Sequence, residues 1–198
     1  MSTEGRVGRI SDTAEGNGSY VLHRSGREGR DFAALRMNLL FARLDEKPMR
    51  RNDRAISIEE ARRLLEKAEY GVLSMASSDG VPYSIPLNFS LFKDCIYFHC
   101  APEGSKIRLL SANRNVSFCV VGKTEVVPEK FAMKYESVIA AGVVEELFET
   151  AKREGLILLL KKYSPDSIKE GLAYIDRLFD KTRVYKICVT SITGKACR

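Results

Sequence analysis

The stretch Phe98-His99-Cys100-Ala101-Pro102-Glu103-Gly104-Ser105-Lys106-Ile107-Arg108 holds the residue types of this chain best suited to chemistry. A turn containing Pro102 and Gly104 separates an apolar, strand-like run from a helix-like one, and Ser105 reads as the helix cap. Lys106 and Arg108 then fall in a first helical turn, where the macrodipole already concentrates about half a positive charge. Such a helix-end charge is unfavourable by about 0.3–1 kcal/mol, and a bound anion reverses the sign. Backbone N–H groups, the Ser105 hydroxyl and the Lys106 ammonium converging on a phosphate would form a cradle of this kind; the competing reading is a solvated lysine at an ordinary helix start. His99, one of only two histidines, shares a strand face with Cys95 and Tyr97. There it could hydrogen-bond a ligand or donate a proton near neutral pH, or be satisfied by a backbone carbonyl.

Two further groups of polar residues have positions that suit a site. Ile85, Leu87, Phe89 and Leu91 alternate with Ser84, Pro86, Asn88 and Ser90, so one strand face is apolar and the other small and polar. Asn88 on that polar face meets either a ligand or water. Tyr135-Glu136-Ser137 open a long strand behind a loop and could close over a pocket. Several chemistries find no support: there is no metal-ligand set, no Ser-His-Asp or Cys-His hydrolase arrangement, and no P-loop. Glu59-Glu60 and Glu145-Glu146 are chain neighbours rather than facing carboxylates.

The elements that must position these residues follow from pattern. Ser57-Ile58-Glu59-Glu60 fits a capping box, and Ile58, Ala61, Leu64, Leu65 and Ala68 continue at helical spacing. A strand over 70–76, a turn at Ser77-Ser78-Asp79-Gly80 and the alternating run come next, followed by a strand over 95–101 and a helix over 105–112. Strands over 115–127 and 136–148 follow, the latter with Ala140-Ala141-Gly142 allowing a bend or close approach. Helices over 150–162 and 166–180 precede a last strand over 182–193. Six strands joined mostly by tight turns predict a mainly β fold, an antiparallel barrel with peripheral helices. Residues 1–48, dominated by Gly, Ser, Arg, Asp and Glu, predict a poorly ordered N-terminal extension ahead of a domain over 49–198. His23 lies in that extension, and Met37 and Met49 are alternative starts.

Composition sets outer limits. The chain of 198 residues is 44% hydrophobic, enough for one core. Its apolar runs fall short of the roughly 20 residues of a membrane span and it opens without a secretory signal, so a cytoplasmic, non-membrane protein is expected. Five cysteines without a CxxC spacing are expected to be reduced and mostly buried. The net charge of +6 arises from scattered Lys and Arg among nearly as many acids, which makes nucleic acid an unlikely partner. Met49-Arg50-Arg51-Asn52-Asp53-Arg54 reads as a solvated lead-in to the first helix.

Several blocks in order, "MRRNDRAIS", "VPYSIPLNFSLF", "IYFHCAPEGSKIRLL", "NVSFCV", "MKYESVIAAGVVEEL" and "KICVTSITGK", together resemble the FMN-binding split-barrel superfamily of pyridoxamine 5'-phosphate oxidase-like proteins, and within it the nitroimidazole-resistance group. The likeness spans Met49 to Lys195. It implies a six-stranded split barrel and a homodimer with FMN at the interface. By the same resemblance Pro86, Leu87, Asn88 and Phe89 contact the flavin ring through backbone and Asn88, and Gly104, Ser105 and Lys106 hold its phosphate. His99 lies beside the flavin as the candidate catalytic residue, and Tyr135 and Ser137 stand near the site from the same or the partner chain. The implied activity is an FMN-dependent oxidoreductase that takes electrons from NAD(P)H and reduces a small acceptor, such as a nitroaromatic or nitroimidazole compound. The alternative is a non-catalytic flavin- or haem-binding carrier or sensor. Thr193-Gly194-Lys195 lacks the basic C-terminal pattern of true pyridoxamine-phosphate oxidases, so that activity is not expected.

Overall fold

Seven strands form one antiparallel sheet in the computed structural model, which describes residues 49–198; the extension expected over residues 1–48 lies outside the described residues. In chain order the elements are α1 (Ile58–Lys67), β1 (Gly71–Ala76), β2 (Pro82–Leu87), β3 (Ser90–Phe92), β4 (Cys95–Cys100), α2 (Ser105–Ala112), β5 (Asn115–Val127), β6 (Ala132–Leu147), α3 (Glu149–Tyr163), α4 (Ile168–Leu178) and β7 (Arg183–Cys197). The strands lie in the order β2-β1-β5-β6-β7-β4-β3.

The expected six strands become seven because the alternating run divides. Leu87 ends β2 and Ser90 begins β3, and these two strands occupy opposite edges of the sheet. Asn88 and Phe89 alone join them, and so short a link reaches no more than about 10 Å. The sheet therefore rolls until its edges approach, yet no ladder closes the seam, and the barrel stays split. At the seam the Tyr163 hydroxyl, from the last residue of α3, takes the place of a strand. It accepts from the Phe89 N–H at 2.9 Å, and its own proton lies within reach of the carbonyls of Phe89 at 2.8 Å and Glu69 at 2.6 Å. A backbone donor left unpaired in such a place costs about 1–3 kcal/mol.

Inside the roll, Phe89, Phe98 and Phe118 are fully buried with Ile96, Val120, Val138 and Ile187. Phe89 meets Phe118 edge-on with centroids 4.8 Å apart, and Phe98 stacks on Tyr185 at 5.4 Å. Helix α1 starts with the expected capping box: the Glu60 N–H donates to Ser57 Oγ at 3.2 Å and the Ser57 N–H donates to Glu60 Oε2 at 3.3 Å. It buries Ala61 and Leu65 against the sheet. The lead-in is stitched to the far end of β7, where the Ile56 N–H donates to the Gly194 carbonyl at 3.1 Å. On the other side α3 and α4 form a second cluster with β6 and β7, built from Leu147, Leu156, Ile175 and Val184. No described helix is long and apolar enough to cross a membrane. The five cysteines are free, and they are half-buried rather than mostly buried.

The close approach expected at Ala140-Ala141-Gly142 takes the form of a bulge. Ala141 pairs with Ser191 and Gly142 with Val189, leaving Thr190 as the extra residue, whose hydroxyl donates to the Ala141 carbonyl at 3.2 Å. A Cβ on Gly142 would stand 2.4 Å from the Cys188 carbonyl oxygen. Gly142→Ala is accordingly expected to lower the unfolding free energy by about 1–3 kcal/mol in urea titrations; an unchanged midpoint would mean the bulge relaxes freely.

Candidate functional site

Strand β4 sorts its side chains by pleat. Ile96 and Phe98 point into the barrel and are fully buried, while Tyr97 and His99 point outward, beneath α3 and α4. Asn88, exposed at the seam, comes to the same place because β4 neighbours the edge strand β3. Asn88 and His99 thus line one cavity of about 510 Å³, roofed by Leu156 and Tyr163 of α3 and by Tyr174 and Ile175 of α4. Its polar groups are few among apolar walls, as in sites that bind small organic molecules.

His99 keeps exposed surface on the cavity side, yet desolvation by the atoms packed around its ring, and secondarily the Lys106 charge, push the imidazolium below the usual histidine range. Both causes favour the neutral ring, which can donate one hydrogen bond and accept another. Lys106 itself is half-buried, with Nζ 5.9 Å from the centroid of the Phe98 ring.

The turn before α2 is built differently from the expectation that Ser105 caps the helix. Gly104 is the cap residue, at φ 128°, and its carbonyl accepts from the N–H groups of Ile107 at 3.1 Å and Arg108 at 3.4 Å. Nothing crowds the place where a Cβ would sit, so glycine is required there by backbone conformation alone. Ser105 and Lys106 become the first two helical residues. Their N–H groups have no backbone acceptor among the described residues, and the first turn holds no acidic side chain. Outward N–H groups, the Ser105 hydroxyl and a lysine at one helix start suit a phosphate group.

The remaining expected residues separate into two sets. Pro86 is exposed on β2, Leu87 half-buried, and the Phe89 side chain lies wholly in the core, so this run offers a ligand Pro86, Asn88 and backbone. Tyr135 and Ser137 stand elsewhere. His99 pairs with Val184 near the start of β7, whereas Tyr135 pairs with Cys197 and Ser137 with Lys195 near its end, which is roughly 40 Å of strand away. Both belong to the outward face of β6, between the exposed side chains of Met133 and Ile139. Arg54 Nη1 donates to the Tyr135 hydroxyl at 3.4 Å.

Sequence pattern alone does not mark Tyr163 or Lys162. The Lys162 ammonium sits 4.0 Å from the Phe89 ring centroid, without a hydrogen-bond partner among the described residues, and burial lowers its pKa. In sequence, Lys161-Lys162-Tyr163 looks like a solvated helix end, where cations are favourable; only the fold shows that this end meets the seam. No group of three or more metal-ligating side chains occurs among the described residues.

A family model described as pyridoxamine 5'-phosphate oxidase matches residues 57–196. Among solved structures, the chain is similar to a Bacteroides thetaiotaomicron protein named for 5-nitroimidazole antibiotic resistance, at 27% identity and TM-score 0.63, over 72% of this chain and 86% of that one. It is also similar in fold to a conserved hypothetical protein from Mycobacterium tuberculosis, at 17% identity and TM-score 0.65, over 75% and 90% of the two chains. A FAD-binding protein from Mesorhizobium loti aligns at 24% identity and TM-score 0.53, over 73% and 98%. No curated protein matches the chain significantly.

The electrostatics of His99 can be read directly. Its imidazole is expected to titrate below the ordinary value of about 6.5, and Lys106→Met should move the midpoint upward by removing a like charge. Because the folded-state pKa is depressed, this group's contribution to stability is present above about pH 6.5 and is lost as pH falls through the folded value. Proton NMR of the His99 ring in both proteins checks the order; a midpoint above 6.5 in the wild type contradicts it.

Proposed function

As the chain belongs to the pyridoxamine 5'-phosphate oxidase family, we propose that it is a flavin-dependent oxidoreductase that takes FMN and passes electrons from NAD(P)H to a small acceptor, with nitroaromatic and nitroimidazole compounds as the acceptor class. The observation that carries this reading is the Gly104 turn, with the Ser105 and Lys106 N–H groups left without backbone acceptors among the described residues and the Lys106 ammonium near enough to lower the His99 pKa. Gly104, Ser105 and Lys106 would hold the phosphate, and Asn88 with the exposed Pro86 would face the ring. When bound, FMN supplies the redox chemistry itself, accepting two electrons from one partner and giving them to another. The chain's residues orient and shield. The neutral His99 ring, which lines the cavity, can donate an N–H hydrogen bond that orients a bound acceptor, and the apolar side chains of α3 and α4 keep water from the acceptor.

The same reading includes a homodimer with the cofactor at its interface. Met133 and Ile139 leave apolar surface exposed on β6 beside Tyr135 and Ser137, and a two-fold partner would cover it and bring those two residues to the other subunit's site. Light scattering at micromolar concentration is expected to give the dimer mass, and a monomer would contradict the shared site.

The cofactor test uses reconstitution with FMN, desalting and a visible spectrum. Wild type is expected to keep a flavin band that NAD(P)H bleaches, and Lys106→Ala to bind FMN about 10–100-fold more weakly through loss of a charged hydrogen bond. A folded wild type that retains no flavin sinks the proposal. The apolar cavity, which offers few polar groups to an acceptor, favours a second reading, a flavin or haem carrier. A retained flavin that NAD(P)H does not bleach, or a Soret band after haem addition, would support it.

A further inference from the structure

Cys95 and Cys188 lie opposite each other on β4 and β7, with their sulfurs 4.0 Å apart. The backbone shows which kind of rung they share. The Val189 N–H donates to the Asp94 carbonyl at 3.0 Å, which makes Asp94–Val189 a hydrogen-bonded rung and Cys95–Cys188 the adjacent non-hydrogen-bonded one. In such pairs the Cα atoms approach to about 4.5 Å, inside the disulfide window of roughly 4.4–6.8 Å. The other cysteines have no such neighbour across their rungs: Cys100 faces Arg183, Cys119 faces Ile139 and Cys197 faces Tyr135.

We propose that Cys95 and Cys188 are a reversible dithiol–disulfide site that a hydroperoxide oxidises, clamping the start of β4 to β7. The step balances with hydrogen peroxide as oxidant. The Cys95 sulfur attacks one peroxide oxygen, the O–O bond breaks, and a sulfenic acid and one water result. The Cys188 sulfur then gives up its proton and displaces the hydroxyl from the sulfenic sulfur as a second water, forming the S–S bond. The two thiols lose two electrons in total and the peroxide gains them. Both thiols are half-buried, so a molecule as small as peroxide can reach them. Burial, and after it the neighbouring Cys95, push the Cys188 thiol up to about 11, against the pull of the Lys186 ammonium. The first attack is therefore assigned to Cys95 and the resolving step to Cys188, an order that dimedone trapping tests.

The cross-link lands on a junction. Arg62 of α1 donates to the Lys93 carbonyl at 3.1 Å and also bonds the Asp94 carboxylate, so the turn before Cys95 already anchors the first helix. Oxidation would join that turn, β4 and β7 covalently, at the end of β4 away from His99.

The test treats the full-length protein with a few equivalents of hydrogen peroxide, blocks remaining thiols by alkylation, and maps the peptides. The expected result is a Cys95–Cys188 link that dithiothreitol removes, with Cys100, Cys119 and Cys197 still alkylated, and a melting temperature higher by about 5–10 °C. In Cys188→Ser, a dimedone adduct should accumulate on Cys95 and no internal link should form. A different pairing, an intermolecular link, or over-oxidation of Cys95 without a link in the wild type would overturn the site. A mapped link without a rise in melting temperature would overturn the clamp.

Discussion

Asn88 and Phe89 must connect strands at opposite edges of a seven-stranded sheet, and much of the architecture follows from how little chain they provide. A flat sheet of that width cannot be bridged by so short a link. Rolling brings the edges together, places Phe89 at the centre of the core against Phe118, and turns Asn88 outward. The strand next to β3 is β4, so the residue that faces outward near its end, His99, is delivered to the same region. The Gly104 turn follows directly. The candidate site therefore sits at the seam because that is where the chain crosses the gap, leaves β4 and enters α2.

Charge is distributed around this frame in two ways. Most ion pairs lie on partly exposed surface, including Arg198 with Glu60 and Glu136, and Lys186 with Glu145; pairs of this kind contribute little singly. The cations near the seam differ. Lys106 lies where a helix start already repels it, and Lys162 is pressed onto an aromatic face without a hydrogen-bond partner among the described residues. Neither arrangement is one that stability alone would favour.

Local signals were legible in the sequence, and long-range ones were not. Ser57 with Glu60 marked the start of α1 because a cap depends on residues three apart. The alternation around Ile85 and Leu87 told which side chains face inward, since a pleat repeats every second residue. It did not reveal that the ladder breaks after Leu87: Asn88-Phe89 keeps the alternation and contains neither glycine nor proline. Residue preference points to Ser105 as the cap, whereas the chain uses the φ of Gly104. Tyr135 and Ser137 sort with the site only through the family resemblance, because within one chain they lie near the far end of β7. Tyr163 could not have been found from its neighbours, as its partners Glu69 and Phe89 are set by tertiary packing.

The Tyr163 hydroxyl links two movements that would otherwise be independent. Helix α3 roofs the cavity, and its final residue holds Phe89 and Glu69 at the seam. Lifting the C-terminal end of α3 to admit a molecule would pull those bonds apart and open the barrel itself. The α3 half of the roof is thus tied to the seam. Entry that leaves the core undisturbed therefore calls on the α4 half of the lining, with Tyr174 and Ile175, to give way rather than the end of α3.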